Sequence, residues 1–300
     1  MTQPRNKSEV IRSRAQMFSR NILRADRFAT LYLFQPFQNA LIHKETRIPI
    51  LMYHSISNGN GNSHHPYYQM TTSPEVFAEQ MRCLNDNQYS TIGLGDLVKS
   101  VNHSTGFERC VVITFDDGFH DFYSHAMPVL SRYGFRATVF LPTGYIGDTR
   151  KQFKNRDCLT WGEVRELHRA RVTFGSHTVT HPQLCLATRE QQEYEIRHSK
   201  RCIEDKVGCE VQSFCYPFAF PEQNYAFTHG LRESLKACGY KNGVCTVVGT
   251  VRAGQDVYFL KRLPISSWDD QRLFRAKLNG AYDWMHKVQY LTKIAKARFS

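Results

Sequence analysis

Cys110-Val-Val-Ile-Thr-Phe-Asp-Asp-Gly118 is a short run of β-branched and aromatic residues that ends abruptly in two carboxylates and a glycine. A run that brief and that continuously apolar reads as a strand buried on both faces, the kind found in parallel sheets. Gly118 permits a tight turn out of the strand. Successive strand side chains point to opposite faces, so Asp116 and Asp117 are expected to do different jobs. Two charges at the end of an apolar strand are costly unless paired or metal-bound. Taken alone, the triplet is equally an Asp-Asp-Gly surface turn.

Working outward, six more runs have this character: 48–53, 137–141, 172–175, 213–216, 243–248 and 260–265. Helical patterns lie between them. One covers 74–85 behind Ser73, with Glu75 and Glu79 in its first turns as at a capped start; others cover 161–169 and 189–207. Repeated alternation of strand and helix implies an α/β chain, either a (β/α) barrel or a doubly wound sheet. In a barrel, chemistry collects where strands end and loops begin, so titratable residues should follow the strand runs.

Three runs meet that condition. Asp116 and Asp117 follow the first. His177 and His181 follow Thr173-Phe-Gly-Ser176, and their four-residue spacing would place both on one face of a helical turn, within reach of one metal ion. Thirteen histidines make roughly half such a pair by chance, so the position after a strand and a glycine carries more weight than the spacing. His54 follows Ile50-Leu-Met-Tyr53. Two histidines and a carboxylate form an open three-ligand site, and a spare carboxylate and imidazole complete a set for metal-assisted hydrolysis.

With these residues in view, the chain resembles the polysaccharide deacetylases of the NodB-homology type, carbohydrate esterase family 4. Thr114-Phe-Asp-Asp-Gly118 and His177-Thr-Val-Thr-His181 look like the first two motifs of that family. Ile48-Pro-Ile-Leu-Met-Tyr-His-Ser-Ile56 looks like the opening of its permuted subgroup, which includes the poly-N-acetylglucosamine deacetylases. The resemblance implies a distorted (β/α)7 barrel. It implies Asp117, His177 and His181 as ligands of one divalent ion, zinc foremost with cobalt or nickel as alternatives. It makes Asp116 the general base and His54 the acid, cationic when it protonates the leaving amine. The third motif departs from the family pattern: Cys215 stands where an arginine orients the base, and Ala219 where a glycine is usual. Arg262, near the end of the last strand run, is the candidate to replace that arginine, with a surface ion pair as the alternative. Tyr53 and Trp268 are candidate sugar-stacking aromatics, with core packing as the alternative. Tyr216 is a candidate substrate contact through a backbone N–H for the oxyanion.

Composition sets the remaining bounds. At 41% hydrophobic and 22% charged residues, the 300-residue chain is globular, and no stretch is apolar enough to span a membrane. Residues 1–47 carry nine Lys/Arg against three acids and residues 284–300 four against none, leaving only +2 of the +12 for the middle. Charge on the ends rather than on a folded patch argues against a nucleic-acid partner. The expected organisation is a basic, partly helical extension over 1–47, a catalytic domain over 48–283 and a basic C-terminal helix over 284–300. Phe18, Ile22, Ala25 and Ala29 recur at helical spacing with Arg20, Arg24 and Arg27 between them, which suggests peripheral membrane association or a helix packed on the domain's flank. No secretory signal pattern is visible, so a cytoplasmic place, in the cytoplasm itself or at the inner face of the membrane, is expected. Nine cysteines without a C-x-x-C pair read as buried thiols. The expected partner is an N-acetylated saccharide. The competing readings are a metal-dependent amide hydrolase with a non-sugar substrate and a non-catalytic carbohydrate-binding relative.

Overall fold

The computed structural model describes residues 24–36, 47–58, 71–101 and 109–298. Seven parallel strands close on themselves: β1 (Ile50–Tyr53), β2 (Cys110–Phe115), β3 (Thr138–Leu141), β4 (Thr173–Ser176), β5 (Ser213–Cys215), β6 (Asn242–Val248) and β7 (Leu260–Pro264). Neighbours in space follow chain order, and β1 pairs with both β7 and β2, with Ile50 opposite Val112 and Tyr53 opposite Phe115. A two-residue strand, Ser90–Thr91, adds to the start of β2. The order β1-β7-β6-β5-β4-β3-β2 around the ring is that of a barrel, so the doubly wound alternative falls.

The period of two along each strand sorts side chains into two cores. Leu51, Tyr53, Val111, Ile113, Phe115, Val139 and Leu141 face outward and pack with helix residues such as Phe77, Leu130, Val164, Ile196, Leu231 and Phe274. Ile50, Val112, Phe140, Cys215, Val244 and Leu260 form a second cluster inside the barrel, with Leu94 and Leu97 of the helix Leu94–Val101. Helix starts follow the expected chemistry. Ser73 accepts from the Val76 N–H ahead of Pro74–Asp86, and Thr160 and Thr188 each form reciprocal capping boxes ahead of Trp161–Arg169 and Arg189–Val207.

Residues 24–34 of the basic extension dock on the barrel's flank as Ala25–Phe28 and a wider helical turn, Ala29–Phe34. The docked side is not the Ala25–Ala29 stripe. Thr30 and Leu31 are buried, Asp26 accepts from Tyr282 Oη at 2.7 Å, and the Trp284 indole donates to Thr30 at 3.0 Å. Two polar anchors select the face, which apolar spacing cannot register. Phe18 and Ile22 lie outside the described residues. The basic C-terminal segment is helical over Met285–Arg298. All nine cysteines are free thiols, five of them buried.

Candidate active site

The C-terminal ends of β1, β2, β4, β5 and β7 converge on one cluster. In β2, Asp116 continues the inward row of Val112 and Thr114. Arg262 faces it from β7, two residues beyond inward Leu260. The guanidinium donates Nη1 to Asp116 Oδ1 at 2.7 Å and Nη2 to Oδ2 at 2.8 Å, a two-pronged pair. Its other donors reach the Cys245 carbonyl at 3.1 Å, Thr114 Oγ1 at 3.2 Å and Cys215 Sγ at 3.2 Å, so a side chain with 0% exposure leaves no N–H unpaired. Arg262 is therefore not a surface residue. Cys215, small and uncharged, leaves the room into which it reaches. Burial pushes the Asp116 carboxyl upward, but the Arg262 charge and fork outweigh it and hold the group well below the usual carboxylate range.

Asp117 leaves the inward row because its backbone turns left-handed, at φ 70°, followed by Gly118 at φ 59°. A Cβ on Gly118 would lie 2.9 Å from Leu141 Cδ2, so the turn requires glycine on both counts. Asp117 Oδ1 lies 3.6 Å from His177 Nε2 and 3.4 Å from His181 Nε2. It is buried and has no hydrogen-bond partner among the described residues.

The two histidines do not sit on a helical turn. Residues 177–183 form a loop in which Thr178 (φ 67°) and His181 (φ 57°) are left-handed, and that path brings the imidazoles to a 4.7 Å ring separation. A left-handed β-branched residue is held only by strong local contacts. Thr178 Oγ1 accepts from the His181 N–H at 3.0 Å. Glu195, on the helix Arg189–Val207, accepts from the N–H groups of Val179 (2.6 Å) and Thr180 (2.9 Å) and from the Thr180 hydroxyl (2.6 Å). His177 Nδ1 lies 2.9 Å from the Cys215 carbonyl, an acceptor that fixes the Nδ1–H tautomer and leaves Nε2 free toward Asp117. Burial pushes both histidines down to about 3, with the His181 neighbour adding for His177 and the Lys154 charge adding for His181. Both imidazoles are neutral at ordinary pH.

These three residues fit a metal ion. Ligands about 2.0–2.1 Å from a tetrahedral centre stand roughly 3.3 Å apart, close to the separations seen here. The orphaned Oδ1 and the paired neutral Nε2 atoms are the donor set such an ion needs. A second cluster, Asp116, His177 and Cys215, also lies within ligand spacing. It fits poorly: Asp116 is forked by Arg262, and burial pushes the Cys215 thiol up, keeping it protonated.

His54 Nε2 lies 3.7 Å from Asp116 Oδ2. Burial pushes its pKa down, although Asp116 and Asp117 pull the other way. The resting imidazole is thus neutral near pH 7, so it becomes the cationic acid of the expectation only after taking up a proton.

The aromatic expectations need correction. Tyr53 is 0% exposed, donates to Gln80 at 2.8 Å and packs on Phe77 and Phe115, so it is core. The Tyr216 ring is 1% exposed against Phe220, and its N–H already bonds the Val244 carbonyl at 3.0 Å, leaving nothing for an oxyanion. Trp268 lines a separate cavity of about 420 Å³ with Val76, Gln80 and Phe274, none of them in the cluster. Three unanticipated side chains flank the candidate ligands instead. Phe218 (49% exposed) and Phe153 place their rings 4.7 and 5.1 Å from that of His181, and Lys154 Nζ lies 3.0 Å from Asp117 Oδ2.

The sequence pattern of the family described as Polysaccharide deacetylase matches residues 103–243. YxkH of Bacillus subtilis (strain 168), whose name gives polysaccharide deacetylation as a supposed activity, is 32% identical over 227 residues, 74% of this chain and 73% of that one. A poly-β-1,6-N-acetyl-D-glucosamine N-deacetylase of Staphylococcus aureus (strain MSSA476) is 22% identical over 240 residues, 75% of this chain and 81% of the relative. Among solved structures, the Streptococcus pyogenes deacetylase PplD, in complex with acetate, superposes with a TM-score of 0.67 at 24% identity, covering 78% of this chain and 99% of that one. The fold they share is the seven-stranded (β/α) barrel.

Proposed function

Because the chain belongs to the polysaccharide deacetylase family, a family of hydrolases of amide carbon–nitrogen bonds, we propose that it removes the N-acetyl group from an N-acetylhexosamine in a saccharide chain. The products are acetate and a free amine. One observation carries the reading: an ionised, Arg262-forked Asp116 stands beside the orphaned Asp117 Oδ1 and its two neutral imidazoles.

Asp117, His177 and His181 would hold a divalent ion, zinc before cobalt or nickel. When bound, it supplies Lewis-acid polarisation of the amide carbonyl and acidifies water. Asp116 accepts the proton of the attacking water. A carboxylate held so far down is a weak base, so its advantage is permanent ionisation and fixed aim. His54, neutral at rest and 3.7 Å from Asp116, receives that proton and delivers it to the leaving nitrogen. The exposed ring of Phe218 is the surface best placed to stack on a sugar.

The polymer in the Staphylococcus aureus relative's name makes β-1,6-linked N-acetylglucosamine oligomers the first substrates to try. Mass spectrometry of zinc-loaded protein with these, chitooligosaccharides and simple acetamides should show a loss of about 42 daltons per acetyl group from an oligosaccharide. Loss from simple amides alone would make it a non-sugar amide hydrolase, and no loss from any substrate a carbohydrate-binding relative.

We also infer peripheral attachment to an anionic membrane. Among the described residues no helix is long and apolar enough to cross one. Phe28, Tyr32 and Leu33 are nevertheless 55%, 49% and 50% exposed on the docked segment, and residues 1–23 carry five Lys/Arg against one acid. Co-sedimentation should be stronger with phosphatidylserine vesicles than with phosphatidylcholine vesicles, and equal pelleting would exclude the attachment.

A further inference from the structure

We propose that Lys154 is a positioning residue for the metal site, holding Oδ2 of Asp117 so that Oδ1 is turned toward the ion. The inference rests on the reading of Asp117 as a ligand. The two oxygens of this carboxylate have different surroundings. Oδ1 faces both histidine Nε2 atoms and accepts no hydrogen bond among the described residues, whereas Oδ2 accepts from Lys154 Nζ at 3.0 Å. Without that contact, the terminal torsion of an aspartate is broad and roughly two-fold, and either oxygen could swing away from the imidazoles. Lys154 removes that freedom.

The lysine is itself held firmly. Gln152–Phe153 and Arg156–Asp157 pair as an antiparallel hairpin whose two turn residues, Lys154 (φ 51°) and Asn155 (φ 58°), are both left-handed, as a two-residue mirror-image turn demands. Neither is glycine, so the turn persists because its flanks fix it. Phe153 packs on Tyr145 and His181 with ring separations of 4.3 and 5.1 Å. Arg156 donates to Ser57 Oγ at 3.0 Å and Thr71 Oγ1 at 3.1 Å, tying the hairpin to the segment that follows β1 and to the Thr71–Thr72 strand paired with it. The Asp157 carbonyl accepts from the His120 N–H at 2.8 Å. The ammonium also lies 4.6 Å from the centre of the Phe153 ring. Each of the paired aspartates thus has its own cation from a different element, Arg262 for Asp116 and Lys154 for Asp117.

A fixed cation has two opposite effects on a metal ion: it orients the ligand, and it repels the incoming charge. The Lys154 side chain is 39% exposed, so water screens the repulsion, whereas the contact with the 2%-exposed carboxylate is direct. Orientation therefore wins, and outer partners of metal ligands typically contribute 10- to 100-fold in affinity.

The test uses the full chain, stripped of metal, with zinc affinity measured by competition against a chromophoric chelator and ligand geometry by the visible bands of the cobalt form. Lys154→Met should weaken zinc binding by roughly 10- to 100-fold and alter the cobalt bands. Lys154→Gln, which keeps an N–H donor without the charge, should recover much of the affinity. Zinc binding by Lys154→Met as tight as wild type or tighter, with unchanged cobalt bands, overturns the proposal. So does a wild-type chain that binds neither ion at micromolar concentrations. A wild type that binds zinc but releases no acetate defeats the deacetylase reading instead, and leaves the comparison of the two variants standing.

Discussion

At the scale of single residues, the proposed function divides its labour between adjacent carboxylates. Asp116 and Asp117 were separable from sequence because strand geometry forbids neighbours to face the same way. In the proposed mechanism the base is the one that Arg262, 146 residues away, grips. Asp116→Asn should lower kcat by about 10²–10⁴-fold while zinc content, measured by atomic emission, stays at the wild-type level. Loss of zinc in that variant would exchange the roles of the two aspartates. Arg262 invites a sharper comparison. Removing one partner of a buried ion pair leaves an uncompensated charge and costs about 3–5 kcal/mol, so Arg262→Ala should shift the urea midpoint strongly. Arg262→Lys keeps the charge but cannot make the fork. It should retain more of the stability while losing turnover, and full activity in either variant would remove Arg262 from the mechanism. The arginine's candidacy was legible from the cysteine standing in motif three. Its complete burial was not, because no local pattern distinguishes a buried arginine from a surface one.

At the scale of elements, strands were the most readable part of the chain. All seven runs became barrel strands to within about two residues, since a buried parallel strand has no polar face to confuse the pattern. The loop bearing His177 and His181 was misread because an i, i+4 spacing suggests a helix, whereas two left-handed residues produce the same convergence. Nothing in the sequence announces those angles. They depend on Glu195, one acid among many on a charged helix, whose carboxylate gathers three donors from the loop. Glu195→Ala should therefore act at a distance: weaker zinc binding by about tenfold or more, with the Asp116–Arg262 pair untouched. Chelator competition reads the affinity, and a variant that loses stability but binds zinc like wild type would make Glu195 a structural cap alone. The hairpin carrying Phe153 and Lys154 escaped notice because a Lys-Asn turn lacks the Asn-Gly signature of its class.

At the scale of the whole molecule, charge and burial are coupled through folding. The basic N-terminal stretch is not a free appendage over its described part. Arg24 reaches the Trp268 carbonyl at 2.9 Å, and Arg27 reaches Asp270 at 2.8 Å, so this part of the extension packs on the flank of the barrel, one of the two readings its helical spacing allowed. The buried Asp–His cluster imposes a pH signature on the entire fold. His177 and His181 bind protons near 6.5 when unfolded but only near 3 when folded. Between those values the unfolded chain takes up protons that the native chain refuses, so stability must fall as pH falls through that window. Each histidine contributes a slope of up to about 1.4 kcal/mol per pH unit. Asp116, held below its ordinary 3.8, adds a further loss at the acid end, with the same sign. Urea unfolding of the metal-free chain should give a steadily falling free energy from pH 7.5 to 4.5. The double variant His177→Asn/His181→Asn should show a shallower slope, by as much as two protons. Parallel slopes for the two proteins would mean that the imidazoles are not buried neutral, and the metal-ready state inferred for them would have to be abandoned.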